Sequence, residues 1–156
     1  MKTLKILLDT EEEEQITVGL ARTAKQLPDY ELFFHLNTIN SFCFQRISDV
    51  QICGEYYDYF FTRFQGYHKA SKTCYEFISN KCSNSILKKE STELFADEEE
   101  TKFLLDSFED VDYIIKTSDQ FDDFSLILLP ENLMFQIQSY DVFQDSELFQ
   151  IIQYYE

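Results

Sequence analysis

Leu105-Asp-Ser-Phe-Glu-Asp-Val-Asp-Tyr-Ile-Ile-Lys-Thr117 opens with acids and turns apolar at Val111. Val111, Ile114 and Ile115 are β-branched and Tyr113 is aromatic. Such side chains fit a pleated, half-buried surface, so 111–117 is predicted as a central strand. Successive strand side chains point to opposite faces. Val111, Tyr113 and Ile115 are therefore expected on one face, with Asp112 on the other. A carboxylate on a buried face needs hydrogen-bond partners or takes up a proton.

A central strand needs neighbours, and the chain offers several on either side. Gln15–Arg22 alternates Ile16, Val18 and Leu20 against Thr17, Gly19 and Ala21, a strand pattern. Leu27-Pro28-Asp29 marks a helix start, with Asp29 as the capping acceptor and Leu27 as an apolar staple. Leu32, Phe33, Leu36 and Ile39 recur at helical spacing, and Asn37, Asn40 and Ser41 end the helix. Strands are then expected at Phe42–Ile47, at Glu55–Phe64 ending before Gly66, and at Thr73–Ser79. Glu11–Glu14 reads as a solvated turn, and Ser83–Glu100 as a mobile loop or weak helix. Phe103–Leu105 reads as a short edge strand.

Beyond the central strand, Ser118 or Asp119 is expected to cap a helix holding Phe121, Phe124, Leu126, Leu128 and Leu129. Pro130 stops it, and Leu133–Tyr140 alternates as a last strand. The separations of roughly 5–10 residues suit antiparallel connections rather than crossovers. The expected fold is α+β: a two-layer sandwich of a mainly antiparallel sheet with two helices on one face, with ferredoxin-like overtones. At 156 residues the chain reads as one domain spanning 1–156.

Val111-Asp112-Tyr113 resembles the signature of the IPExxxVDY family, small Bacteroidetes-type proteins named for that motif. Asp29-Tyr-Glu-Leu, leading to Leu36-Asn37, and Ser79-Asn-Lys-Cys82 resemble further family landmarks in the expected order, so the likeness spans most of the chain. Leu105, Asp106 and Ser107 stand where Ile, Pro and Glu would be. The resemblance implies that Val111, Asp112 and Tyr113 recur among relatives, and it brings no biochemical activity with it. A folding role or a binding role for Asp112 and Tyr113 both remain open at this point.

Composition bounds the function. Sixteen Phe and ten Tyr stand beside no Trp and two Met, so the core must be built around aromatic rings. The net charge of −16 is uneven: residues 1–52 carry 8 acids and 5 bases, 53–92 carry 4 and 6, and 93–156 carry 17 and 2. Polyanions are repelled by such a field and basic proteins drawn in, although a solvated acidic surface also serves solubility alone. Arg63, Lys69, Lys72, Lys81, Lys88 and Lys89, interleaved with Phe64, Tyr67, Tyr75 and Phe77, suggest a basic aromatic sheet face of the kind that stacks single-stranded nucleic acid. The overall charge and the lack of an RNP-type motif argue against that partner. The same bases can pair with the C-terminal acids, within one chain or between copies of it.

Cys43, Cys53, Cys74 and Cys82 form no C-x-x-C pair, and with His35 and His68 they match no zinc spacing. No cofactor or metal is expected. The nucleotide-binding and nucleophile-elbow motifs are missing, and three glycines leave little for a phosphate-cradling loop. The first apolar stretch is far shorter than a signal peptide's, and no segment approaches roughly 20 apolar residues. These readings converge on a small acidic cytoplasmic protein, a non-catalytic interaction or accessory module for a partner with a basic surface. The alternative is a small-ligand-binding protein or enzyme with a pocket between helix and sheet.

Overall fold

Apolar alternation on both sides of one strand puts that strand inside a sheet. The computed structural model describes residues 15–89, 99–118, 123–144 and 146–154. In it β1 (Gln15–Ala21) lies between two antiparallel neighbours, β6 (Tyr113–Thr117) and β7 (Gln138–Phe143). β2 (Phe44–Cys53), β3 (Tyr57–His68) and β4 (Thr73–Ser79) form an antiparallel meander, and β4 pairs β6. The order across the sheet is β2-β3-β4-β6-β1-β7. β5 (Asn84–Leu87) pairs the opening residues of β3. β1 and β2 run in the same direction with three strands between them, so the chain must cross the sheet, and α1 (Asp29–Ile39) carries it over.

The fold is α+β, a mainly antiparallel sheet with two helices among the described residues. The second helix is α2 (Glu147–Tyr154), a segment for which no helix was predicted. Its signals are present in the sequence: the Ser146 hydroxyl accepts the Phe149 amide at 3.1 Å, and Leu148, Phe149 and Ile152 follow at helical spacing. The predicted helix over 118–129 does not form where it is described. The Asp123 carboxylate instead accepts the Ser125 amide, making a local turn. Asn40 then holds Leu128 through both its amide and its carbonyl, at 2.8 and 2.9 Å. Phe124 and Ile127 still reach the core from this irregular chain.

The two helices cover opposite faces of the sheet, not one. α1 packs Leu32, Phe33 and Leu36 against Phe44, Phe64, Phe77, Tyr113 and Ile115. α2 packs Leu148, Phe149 and Ile152 against Val18, Leu20, Ile114 and Val142. Phe33 anchors the first cluster, stacked on Phe64 with centroids 3.8 Å apart and edge-on to Phe44, Phe77 and Tyr113. Ile39, expected on the buried stripe, is exposed.

Several boundaries moved for identifiable reasons. β3 runs through Gly66 to His68, because the Phe44 ring lies over Gly66 so closely that a Cβ there would sit 2.9 Å from it. β2 extends to Cys53 across a bulge between Ile47 and Val50. The buried Arg63 guanidinium donates to the Ser48 carbonyl at 2.6 Å and pairs with Glu76 at 3.0 Å, which fixes that bulge. The expected loop over 83–100 contains β5, and its residues 90–98 lie outside the described residues. Phe103 makes a lone bridge to Lys81 rather than an edge strand. The last strand lies at Gln138–Phe143 rather than 133–140, with Met134 only bridging Thr23. The Glu11–Glu14 turn, Asp119 and Phe121 also lie outside the described residues. Among the described residues no helix is long and apolar enough to cross a membrane.

Candidate functional site

The three sequence landmarks meet at one end of the sheet. β6 begins where β1 and β4 end, and the N-terminus of α1 sits above them. Tyr113, buried in the first cluster, donates its hydroxyl to the Asp29 carboxylate. Burial and that hydrogen bond push the Tyr113 phenol well above its ordinary range. Thr62 donates to the other Asp29 oxygen at 3.1 Å. Asp29 is thus the first helical residue rather than the cap. Pro28 precedes the helix, no side chain caps it, and the carboxylate turns inward to the sheet.

Asp112 is held as tightly. Its carboxylate accepts the Thr23 amide at 2.7 Å and the Thr23 hydroxyl at 3.0 Å, while its own amide donates to the Ala21 carbonyl. Tyr113 and Ile115 face α1 as expected, but Val111 packs with Ile114 in the opposite cluster. The strand begins only at Tyr113, so strict alternation does not reach back to Val111.

The residue that completes this junction is Asn80, which is fully buried. Its side-chain amide donates to the carbonyls of Phe108 at 2.9 Å and Val111 at 3.0 Å, and its side-chain oxygen accepts the Leu105 amide at 2.8 Å. Its backbone bonds Asp112 and Leu104 as well. A buried Asn so placed satisfies the Leu105 amide and the Val111 carbonyl, and adds a second donor to the Phe108 carbonyl, which also accepts the Val111 amide. Asn37 does the same for the start of β2, bonding both the amide and the carbonyl of Phe44. Asn80 stood in the sequence as a landmark without a role, because nothing local shows which distant carbonyls it will meet.

Beside this junction lies an open polar cleft of ≈ 580 Å³, bordered by Asp29, Ser79, Lys81, Glu109, Asp112 and Tyr113. It shares Phe103 and Glu109 with a second cleft of ≈ 580 Å³ that adds Glu99, Lys102, Asp106 and Glu147. Asp106 and Glu147 in turn border a third, of ≈ 430 Å³, which reaches Asp141 on β7. The three clefts are neighbours and make an acidic channel system, a run of open clefts, around the segment 99–110. Its walls carry seven acids (Asp29, Glu99, Asp106, Glu109, Asp112, Asp141, Glu147) and two lysines, Lys81 and Lys102. Lys102 lies 3.4 Å from Glu147.

The other candidate residues do not gather. The His35 ring lies edge-on to Phe34, and the His68 ring bonds Ser71 in the β3–β4 turn. The four cysteines are free thiols; Cys43 and Cys53 are exposed, and burial raises the Cys74 thiol. Among the described residues no three metal-ligating side chains come together. The basic aromatic face is not assembled: Phe64, Tyr75 and Phe77 are in the core under α1, and Arg63 is buried against Glu76. Lys88 and Lys89 pair with Asp58 and Glu55, and of the four aromatics only Tyr67 is exposed. No family model matches the chain, and no curated protein or solved structure matches it.

Proposed function

We propose that the chain is a small, non-catalytic interaction module of the IPExxxVDY type, acting in the cytoplasm on a partner that presents a basic segment. The carrying observation is the run of three neighbouring acid-lined clefts around 99–110. It gives the C-terminal acidity a shaped surface instead of scattering it over loops. The motif beside it supports a scaffolding role, since the carboxylates of Asp29 and Asp112 are both occupied by bonds within the fold. Exposed charges act over about 8 Å at physiological salt, so the channel's field favours encounter more than residence.

The test uses a synthetic peptide of alternating lysine and valine, about eight residues long. Asp106→Asn with Glu109→Gln removes two channel acids; Asp123→Asn with Glu131→Gln removes two distant ones at the same net charge. The channel pair is expected to lower the association rate several-fold more than the distant pair, with the gap closing at high salt. Equal effects would reduce the acidity to bulk solubility and end this reading.

A second reading, a small-ligand site, draws on the convergence of the first cleft on Asp112 and Tyr113. It predicts that one member of a panel of small cationic amines raises the melting temperature, and that Lys81→Ala or Asp112→Asn abolishes the rise.

A further inference from the structure

Among the described residues, β7 is an edge strand that pairs β1 on one side and no strand on the other. Its ladder to β1 runs from Gln138 to Phe143 without a slip. Among the described residues, no backbone group of Gln138–Val142 bonds outside that ladder. Exposed edges are ordinarily blunted by bulges, lysines, prolines or very short strands. The rest of the sheet follows that rule. β2 is broken by the bulge that Arg63 fixes, and β5 is four residues long and followed by Lys88 and Lys89. β7 has none of these devices. Its one charge, Asp141, accepts the hydroxyl of Thr17 at 2.7 Å on its own sheet.

The third cleft lies along this edge. Tyr140, Asp141, Val142 and Phe143 border it consecutively, and consecutive strand residues point to both faces, so the groove follows the strand's side. The lining also includes Leu104, which is partly buried, and touches Leu105 and Leu148, which are buried in the cluster under α2. The rim carries Asp106, Asp141 and Glu147 and no base, and Phe143 is 47% exposed beside it. Unpaired main-chain groups, a cleft beside Leu104 and an acidic rim call for an extended segment that alternates apolar and basic side chains.

We infer that β7 is a docking edge that takes an extended basic-apolar segment of another protein as an added strand, its apolar side chains toward the cleft beside Leu104. The inference rests on the proposed function only for the sign of the partner's charge. Backbone pairing supplies affinity, and the alternation sets which face of the segment turns inward.

The experiment compares the alternating lysine–valine peptide with a version N-methylated at every backbone amide on the full chain. Methylation keeps the charge and side chains but removes the donors from both edges of the peptide. The methylated peptide is expected to bind at least about tenfold more weakly, as the loss of two or three backbone hydrogen bonds implies. Amide exchange within Ser139–Val142 is expected to slow on addition of the unmodified peptide. Equal binding of the two peptides would overturn strand addition while leaving the charge-based reading intact. Unchanged β7 amides under saturating peptide would overturn it too. Protection of those amides without peptide, in a dimer seen by sedimentation, would assign the edge to a second copy and equally defeat the proposal.

Discussion

The motif end of the sheet and the β7 edge treat their polar groups in opposite ways. At the motif end, Asp29, Asn80 and Asp112 close on hydroxyls, amides and carbonyls of four separate segments. At β7, among the described residues, the outer main-chain groups of Gln138–Val142 make no backbone bond, and an acid-rimmed cleft runs beside them. The conspicuous residues therefore fasten the fold, and the surface proposed for a partner lies on an inconspicuous strand. Substitutions at the first region should unfold the protein, while those at the second should leave stability alone and change association.

The largest effect is expected from Tyr113→Ala. Truncating this buried ring removes its contacts with Phe33 and Phe77 and leaves Asp29 with the Thr62 hydroxyl alone, costing about 3 kcal/mol or more in denaturant melts. A loss below roughly 0.5 kcal/mol would remove Tyr113 from the core. Asn80→Ala follows, at about 2–3 kcal/mol, because it orphans the Leu105 amide and the Val111 carbonyl at a buried junction and leaves the Phe108 carbonyl with the Val111 amide alone. Stability indistinguishable from the parent would mean that the loop 104–111 is held by other contacts.

Tyr113→Phe sharpens the contrast, since it keeps the ring and removes only the hydroxyl. About 1–2 kcal/mol is expected at neutral pH. The raised Tyr113 pKa adds a pH signature. The folded state holds the phenol neutral, so this stabilisation is complete below the unfolded phenol's pKa of about 10 and is lost as pH rises above it. Alkaline melts of the parent should lose stability more steeply than those of Tyr113→Phe, and parallel curves would contradict the burial of that hydroxyl. The smallest stability change belongs to β7: Phe143→Ser should fall within about 0.5 kcal/mol of the parent, yet weaken the alternating peptide severalfold.

What was legible in the sequence follows the same division. The period-two patterns of β1, β4 and β6 and the apolar stripe of α1 were readable because local spacing decides them. The convergence of Asp29 on Tyr113 and of Asn80 on the 104–111 loop was not, since those partners are 84 and 25–31 residues apart. Gly66 read as a strand end because its function, making room for Phe44, belongs to a neighbouring strand. The 118–129 segment has a helix's apolar content, but Asp123 and Asn40 offer its backbone better partners. For α2 the cap and spacing were in plain view, and the face it covers became apparent only once β6 placed Ile114 opposite Tyr113 and Ile115.

The division between fastening and binding is tested most directly by one titration series, run at a temperature where every variant is fully folded. The dissociation constant of the alternating lysine–valine peptide is measured for the parent, for Tyr113→Phe, and for Asp106→Asn with Glu109→Gln. Tyr113→Phe is expected to bind as the parent does despite its lower stability, and the channel pair to bind several-fold more weakly despite unchanged stability. Weakened binding by Tyr113→Phe, with the channel pair unaffected, would place the interaction at the motif and contradict the account.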